Sequence, residues 1–186
     1  VIHIDKNLYL VREIVRKDKP SVYVHSAPIS ETVFDTYWKP IGKTFATIYS
    51  EGLGAVAGPR IANKALKDIS KELGMWDGPT GVERGLVAEI RRLTNVIAPG
   101  ERGWEMIPFD DPRVKICLDP HEISESEGAI TFFTVAWCMH LRQQSEEMLP
   151  GAMQLWAAQI TSSNCTVFLN SLPTLTADAN SGAKAA

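Results

Sequence analysis

From Ser30 onward the chain places Phe34, Trp38, Ile41, Phe45 and Ile48 at spacings of four, three, four and three. A helix with one buried side brings such positions onto a single stripe. Ser30 is placed as the N-cap, and Glu31 falls in the first turn, where the helix dipole favours an acid. Pro40 interrupts the pattern and predicts a kink or two shorter helices, because proline lacks the N–H donor and crowds the preceding turn. The same periodicity recurs downstream. After the Gly52–Pro59 run, read as a flexible connector, Ile61, Ala62, Ala65, Leu66, Ile69 and Leu73 form a second stripe that Gly74 ends. Thr80 and Glu83 stand at capping-box spacing before a third stripe of Val82, Leu86, Ile90, Leu93 and Ile97. Asp119-Pro120-His121-Glu122 opens a fourth, central helix through Ile130, Phe133, Trp137 and Leu141. A fifth is expected from about Glu146 to Asn170, apolar at Met148, Ala152, Leu155 and Trp156, then small and polar over Thr161–Thr166.

Two regions depart from this period. Leu8–Val15 and Val22–His25 are rich in β-branched and aromatic residues around the charged turn Arg16-Lys17-Asp18-Lys19-Pro20, which predicts a β-hairpin within residues 1–27. Pro99 to Pro120 holds Pro99, Gly100, Gly103, Pro108, Pro112 and Pro120 and reads as the least regular part, with Met106–Phe109 or Val114–Leu118 as the places for a short strand. Irregular stretches of that length inside a domain usually serve function or touch a partner. The expected fold is therefore mainly α with a small N-terminal β-hairpin, a compact bundle of about five helices. A chain of 186 residues suits one domain, set at 1–170, with a low-complexity tail at 171–186.

Net charge is −3, so the whole molecule offers no attraction to nucleic acid or an anionic membrane. Arg84 and Arg91 share a helical face with Arg92 close by, but Glu83 and Glu89 interrupt it, which fits a solvated face better than a nucleic-acid reader. No run of about 18 apolar residues exists to span a membrane. Val1 to Asn7 does not read as a secretory signal, so Cys117, Cys138 and Cys165 are expected to be reduced, with Cys138 a small core residue.

Catalytic and metal chemistry finds little footing. The Gly52-x-Gly54-x-x-x-Gly58 run follows a helix and lacks the Lys-Ser/Thr of a phosphate loop. His3, His25, His121 and His140 are scattered, and no cysteine stands in a C-x-x-C pair. His140 follows Cys138 by two residues, which on a helix points the side chains apart. Asp110-Asp111 and Glu122, Glu125 and Glu127 read as loop and helix-start charges. No catalytic, cofactor-binding or metal-binding residue is assigned and no cofactor is expected. Trp38, Trp137 and Trp156 lie on apolar stripes and read as core. Trp76 and Trp104 lie in Gly-rich turns, where a large aromatic either caps the core or anchors a partner. With Tyr23 in the hairpin and Leu172 and Leu175 in the tail, they form the expected partner-contact set.

The stretch Ser21-Val22-Tyr23-Val24-His25-Ser26-Ala27-Pro28-Ile29-Ser30-Glu31 runs from a strand through a capped turn into an amphipathic helix, and Leu175-Thr176-Ala177-Asp178-Ala179-Asn180 belongs to a Thr/Ala/Ser-rich end. In this order of elements the chain resembles the tail assembly chaperones and virion morphogenesis proteins of tailed bacteriophages. The resemblance implies a non-enzymatic protein in the host cytoplasm that binds the tape measure protein, or a structural component carried into the virion. Its partners would be other phage structural or assembly proteins, with the chain an oligomer or complex subunit. Two other expectations stand beside it: a small enzyme or ligand-binding domain with its site near residues 100–121, and a helical nucleic-acid-binding regulator using Arg84, Arg91 and Arg92.

Overall fold

A computed structural model describes residues 8–17, 19–50, 52, 54–139 and 157–175. The strands β1 (Tyr9–Ile14) and β2 (Val22–Ser26) pair antiparallel, Leu10 opposite Ser26 and Ile14 opposite Val22. They are flanked by β3 (Thr94–Gly100), β4 (Gly103–Pro108) and β5 (Ala158–Thr161). Together they form one five-stranded antiparallel sheet in the order β4-β3-β2-β1-β5. This corrects the expected fold class: the hairpin is present, but as two strands of five, and the architecture is α+β rather than a helical bundle with a small β element.

Three segments account for the difference. The third helix ends at Arg92 instead of carrying its stripe to Ile97. The Thr94 hydroxyl donates to the Ile90 carbonyl at 2.8 Å and meets the Ser26 hydroxyl, also at 2.8 Å, so the last helical turn is stitched to the start of β3. Residues 99–120 are largely regular: β4 pairs with β3 through Pro99 opposite Trp104, and Val114–Cys117 forms a helical turn rather than a strand. The expected fifth helix is a strand at Ala158–Thr161 and a separate short helix at Cys165–Ser171. Its first part, Glu146–Trp156, lies outside the described residues, as do Leu141, His3, His140 and residues 176–186.

The helices are α1 (Glu31–Ser50), α2 (Gly54–Glu72), α3 (Ala88–Arg92, entered through a π-helical turn at Glu83–Val87), α4 (Val114–Cys117), α5 (Pro120–Met139) and α6 (Cys165–Ser171). Ser30 Oγ accepts from Val33 N at 3.4 Å, and α1 kinks at Tyr37 (φ −116°, ψ 18°), one turn before Pro40. Its buried stripe is Phe34, Tyr37, Ile41, Thr44 and Ile48. Trp38, expected in the core, falls just off that line and is 56% exposed. No side chain caps the π turn, so the expected Thr80–Glu83 box does not form; the Thr80 carbonyl instead accepts from the Tyr37 hydroxyl. Gly74 does end its helix, with φ +65°.

At α5 the expected box is real: Asp119 Oδ1 accepts from Glu122 N and Glu122 Oε2 from Asp119 N, each at 2.9 Å. Gly128 through Cys138 are all buried, the mark of a helix covered on every side. Its close partner is α2. A Cβ at Gly58 would strike the Phe132 ring, and one at Gly128 would strike the Pro59 carbonyl oxygen. Gly58 therefore belongs to a helix crossing, not to a flexible connector. The helices pack on the sheet face that carries Leu10, Ile14, Val22, Val24, Val96, Ala98 and Ile107.

Candidate functional site

Cross-strand register fixes which side chains share the opposite sheet face. Val11 pairs with His25, Tyr23 with Ile97, and Ile97 with Met106, while Tyr9 and Trp104 sit at the same parity. This face is aromatic: Tyr9 lies tilted against His25 with ring centres 5.2 Å apart, and Tyr23 meets Trp104 edge-on at 5.8 Å. The segment from Ser162 to Leu175, with α6 at its centre, lies across these rings as a strap.

The strap is held at three points. At its start the His25 ring nitrogen Nε2 lies 2.9 Å from the Ser163 carbonyl oxygen. A carbonyl only accepts, so Nε2 carries the proton. In the middle, Phe168 packs edge-on against Tyr23 at 5.4 Å and tilts over His25 at 5.9 Å. At its end the Trp104 indole donates Nε1–H to the Pro173 carbonyl at 2.8 Å. The Asn164 side chain caps α6 by accepting from Val167 N at 3.0 Å. Burial lowers the His25 pKa below its ordinary value, partly offset by the Ser163 carbonyl, so the ring is neutral at pH 7. Burial, then the Glu13 carboxylate, raises that of Tyr23.

Of the expected contact residues, Tyr23 and Trp104 touch each other here, and Leu172 and Leu175 belong to the same strap, both half-buried. Trp76 lies elsewhere. It is 8% exposed within the helical core, with Lys67 Nζ 5.5 Å from its ring centre, so little of it is left for a partner. His25 and Phe168 complete the site and were not singled out by sequence reasoning. A histidine alternating with Val24 on a strand, and a Phe in a segment read as continuous helix, gave no signal of convergence.

Most of the remaining charged candidates make ion pairs. Arg12 binds Glu125 at 2.6 Å and the Ser126 hydroxyl at 2.8 Å; Arg16 grips Glu122 and donates to the Cys117 carbonyl. Arg91 pairs with Glu127 at 2.5 Å and Arg92 with Glu89 at 2.6 Å. Two of the three arginines of the nucleic-acid expectation are thus neutralised locally, and the acidic series on α5 serves as counter-charge to β1 and α3. A shallow crevice lined by Asn63, Ile90, Arg91, Glu127 and Thr131 lies beside that last pair. Among the described residues no group of three or more His, Cys, Asp or Glu is placed to hold a metal ion, and no helix is long and apolar enough to cross a membrane.

Fold and site together define the class: an α+β protein whose antiparallel sheet is packed by helices on one face and strapped by its own uncharged C-terminal segment on the other. Comparison with protein-family models, with curated proteins and with solved structures finds no match.

Proposed function

We propose that the protein is a non-enzymatic assembly factor acting through protein–protein contact, in the form of a tail assembly chaperone of a tailed bacteriophage that binds the tape measure protein in the host cytoplasm. The observation that carries this reading is the strapped sheet face. Tyr9, Tyr23, His25 and Trp104 form a continuous aromatic surface, and what rests on it is a short helix with one aromatic anchor. Surfaces of that kind recognise amphipathic helices by an anchor residue and main-chain contacts. A tape measure protein, in the resembled family a long helical chain, supplies many such segments. The exposed Met106 beside the strap and Val167 on it add apolar area for a partner. A sibling form of the same reading is a component that stays in the virion.

The test is isolation of the tagged full chain from infected cells, with mass spectrometry of what accompanies it. The tape measure protein is the expected companion, and Tyr23→Ala with Trp104→Ala should deplete it at least tenfold. A chain recovered as a monomer without any tail or head protein overturns the proposal.

A further inference from the structure

We infer that the strap, residues 162–175, is an exchangeable arm, and that the aromatic sheet face also accepts the strap of a second copy of this chain. This goes beyond the chaperone reading and does not depend on it.

Burial across the contact is lopsided. Beneath the strap, Ile97 is 0%, Val11 1% and His25 2% exposed, whereas α6 itself has no buried residue. The sheet face thus behaves as core, and the strap as a thin cover. The segment Ser162–Leu175 contains no charged residue, so no ion pair fixes it in place. Two of its three anchor points are main-chain carbonyls, those of Ser163 and Pro173, and the third is the Phe168 ring. At seven residues α6 is too short to persist as a helix in water. It is ordered by the face it covers.

The link to the sheet is equally slight. Between Thr161, the last residue paired with β1, and the start of α6 stand only Ser162, Ser163 and Asn164. Asn164 is extended (φ −63°, ψ 167°), and the Thr161 hydroxyl accepts from Ser163 N at 3.1 Å. Rotation at these residues swings the arm out while β5 stays in its own sheet. Short hinges of this kind favour exchange of identical elements between copies.

A second copy is the occupant favoured here because its strap reproduces every contact the resident strap makes. Exchange then costs only the entropy of joining two chains, set against an effective concentration of order millimolar for a tethered segment. Val167 on the strap is 53% exposed, and Met106 on the same sheet face is 46% exposed. Two copies brought face to face by arm exchange cover these apolar groups, which the monomer leaves in water, and this favours the dimer.

The test uses the full chain with a photo-crosslinking amino acid at Val167, which leaves the Phe168 anchor in place. Equal amounts of unlabelled and nitrogen-15-labelled protein are mixed, equilibrated and irradiated, and crosslinks from the strap to β2 or β4 are read by mass spectrometry. Mixed heavy–light pairs are expected, with a share that rises at least tenfold between about 10 µM and 1 mM. Only same-isotope pairs at 1 mM overturn the inference. If a synthetic 162–175 peptide displaces the resident strap while no mixed pairs form at 1 mM, the arm opens but full chains do not exchange it, and the inference is likewise overturned.

Discussion

Replacing Phe168 by alanine removes the middle anchor of the strap and leaves both carbonyl contacts in place. A Phe→Ala change in a fully packed core costs about 3–5 kcal/mol. Phe168 is half-buried, with one edge-on contact to Tyr23 and one tilted contact to His25, so about half that cost applies, ~2 kcal/mol. The loss falls on the strap, because the sheet beneath is held by its own ladder and by the helical core. At 1.4 kcal/mol per decade, strap opening becomes roughly 30-fold more frequent. Native-state hydrogen exchange reads this directly. The Leu172 amide, bonded to the Leu169 carbonyl at 3.2 Å, and the Val167 amide, bonded to Asn164, should lose protection by that factor. Amides of β2 and β3 should keep theirs. Indole emission should shift as the Trp104–Pro173 bond is released. Unchanged Leu172 protection would refute the anchor role of Phe168, and equal loss across the sheet would show that strap and sheet open as one unit.

Gly128→Ala drives a methyl group against the Pro59 carbonyl of α2, which cannot yield without parting the two helices; a loss of about 2–3 kcal/mol is expected in urea unfolding. Arg12→Ala leaves Glu125 without its cation, while the Ser126 hydroxyl keeps its bond to the Glu122 carbonyl; because Glu125 is about one-third exposed, the buried-pair penalty is discounted to about 2 kcal/mol, and Arg12→Met, which keeps the apolar stem volume, should cost less. His25 folds as a neutral ring with a depressed pKa, so the unfolded chain takes up its proton first. Stability should therefore fall as pH drops below about 6.5, down to the folded pKa, and stay level in the region above. Urea midpoints between pH 7.5 and 5 measure this, and His25→Phe should flatten the slope.

Helix signals were legible where one side of a helix faces water. The Ser30 cap, the Pro40 kink, the Gly74 stop and the Asp119–Glu122 box all act within a few residues, and each is found in place or one turn away. The sheet was harder to read for a physical reason. A strand buried on one face alternates in polarity, but the strap covers the second face, so Val96, Ile97 and Ala98 are all buried and form a continuous apolar run. With Val82, Leu86 and Ile90 before it, that run fits a helical stripe as well as a strand, and only the Thr94 hydroxyl marks the switch. Ala158–Thr161 is a four-residue edge strand defined by pairing with β1 rather than by its own pattern. The site was half legible: Tyr23, Trp104, Leu172 and Leu175 stood out as aromatic or apolar residues in non-helical segments. His25 and Phe168 required the register, since Ser163 and His25 are 138 positions apart.

That separation also dictates the order in which a newborn chain can close. Arg12 reaches Ser126 across 114 residues, and the far side of β1 waits for β5, so the N-terminal hairpin leaves the ribosome long before its partners exist. At roughly 5–20 residues per second the wait for α5 alone is about 6–23 s. Throughout it Leu10, Val11, Ile14, Val22 and Val24 present apolar surface on both sides of a ribbon with an open edge. Yield of the folded protein is therefore set by translation speed and by holdase supply as much as by the strength of the finished core, and slowing synthesis over residues 30–120 should lower it.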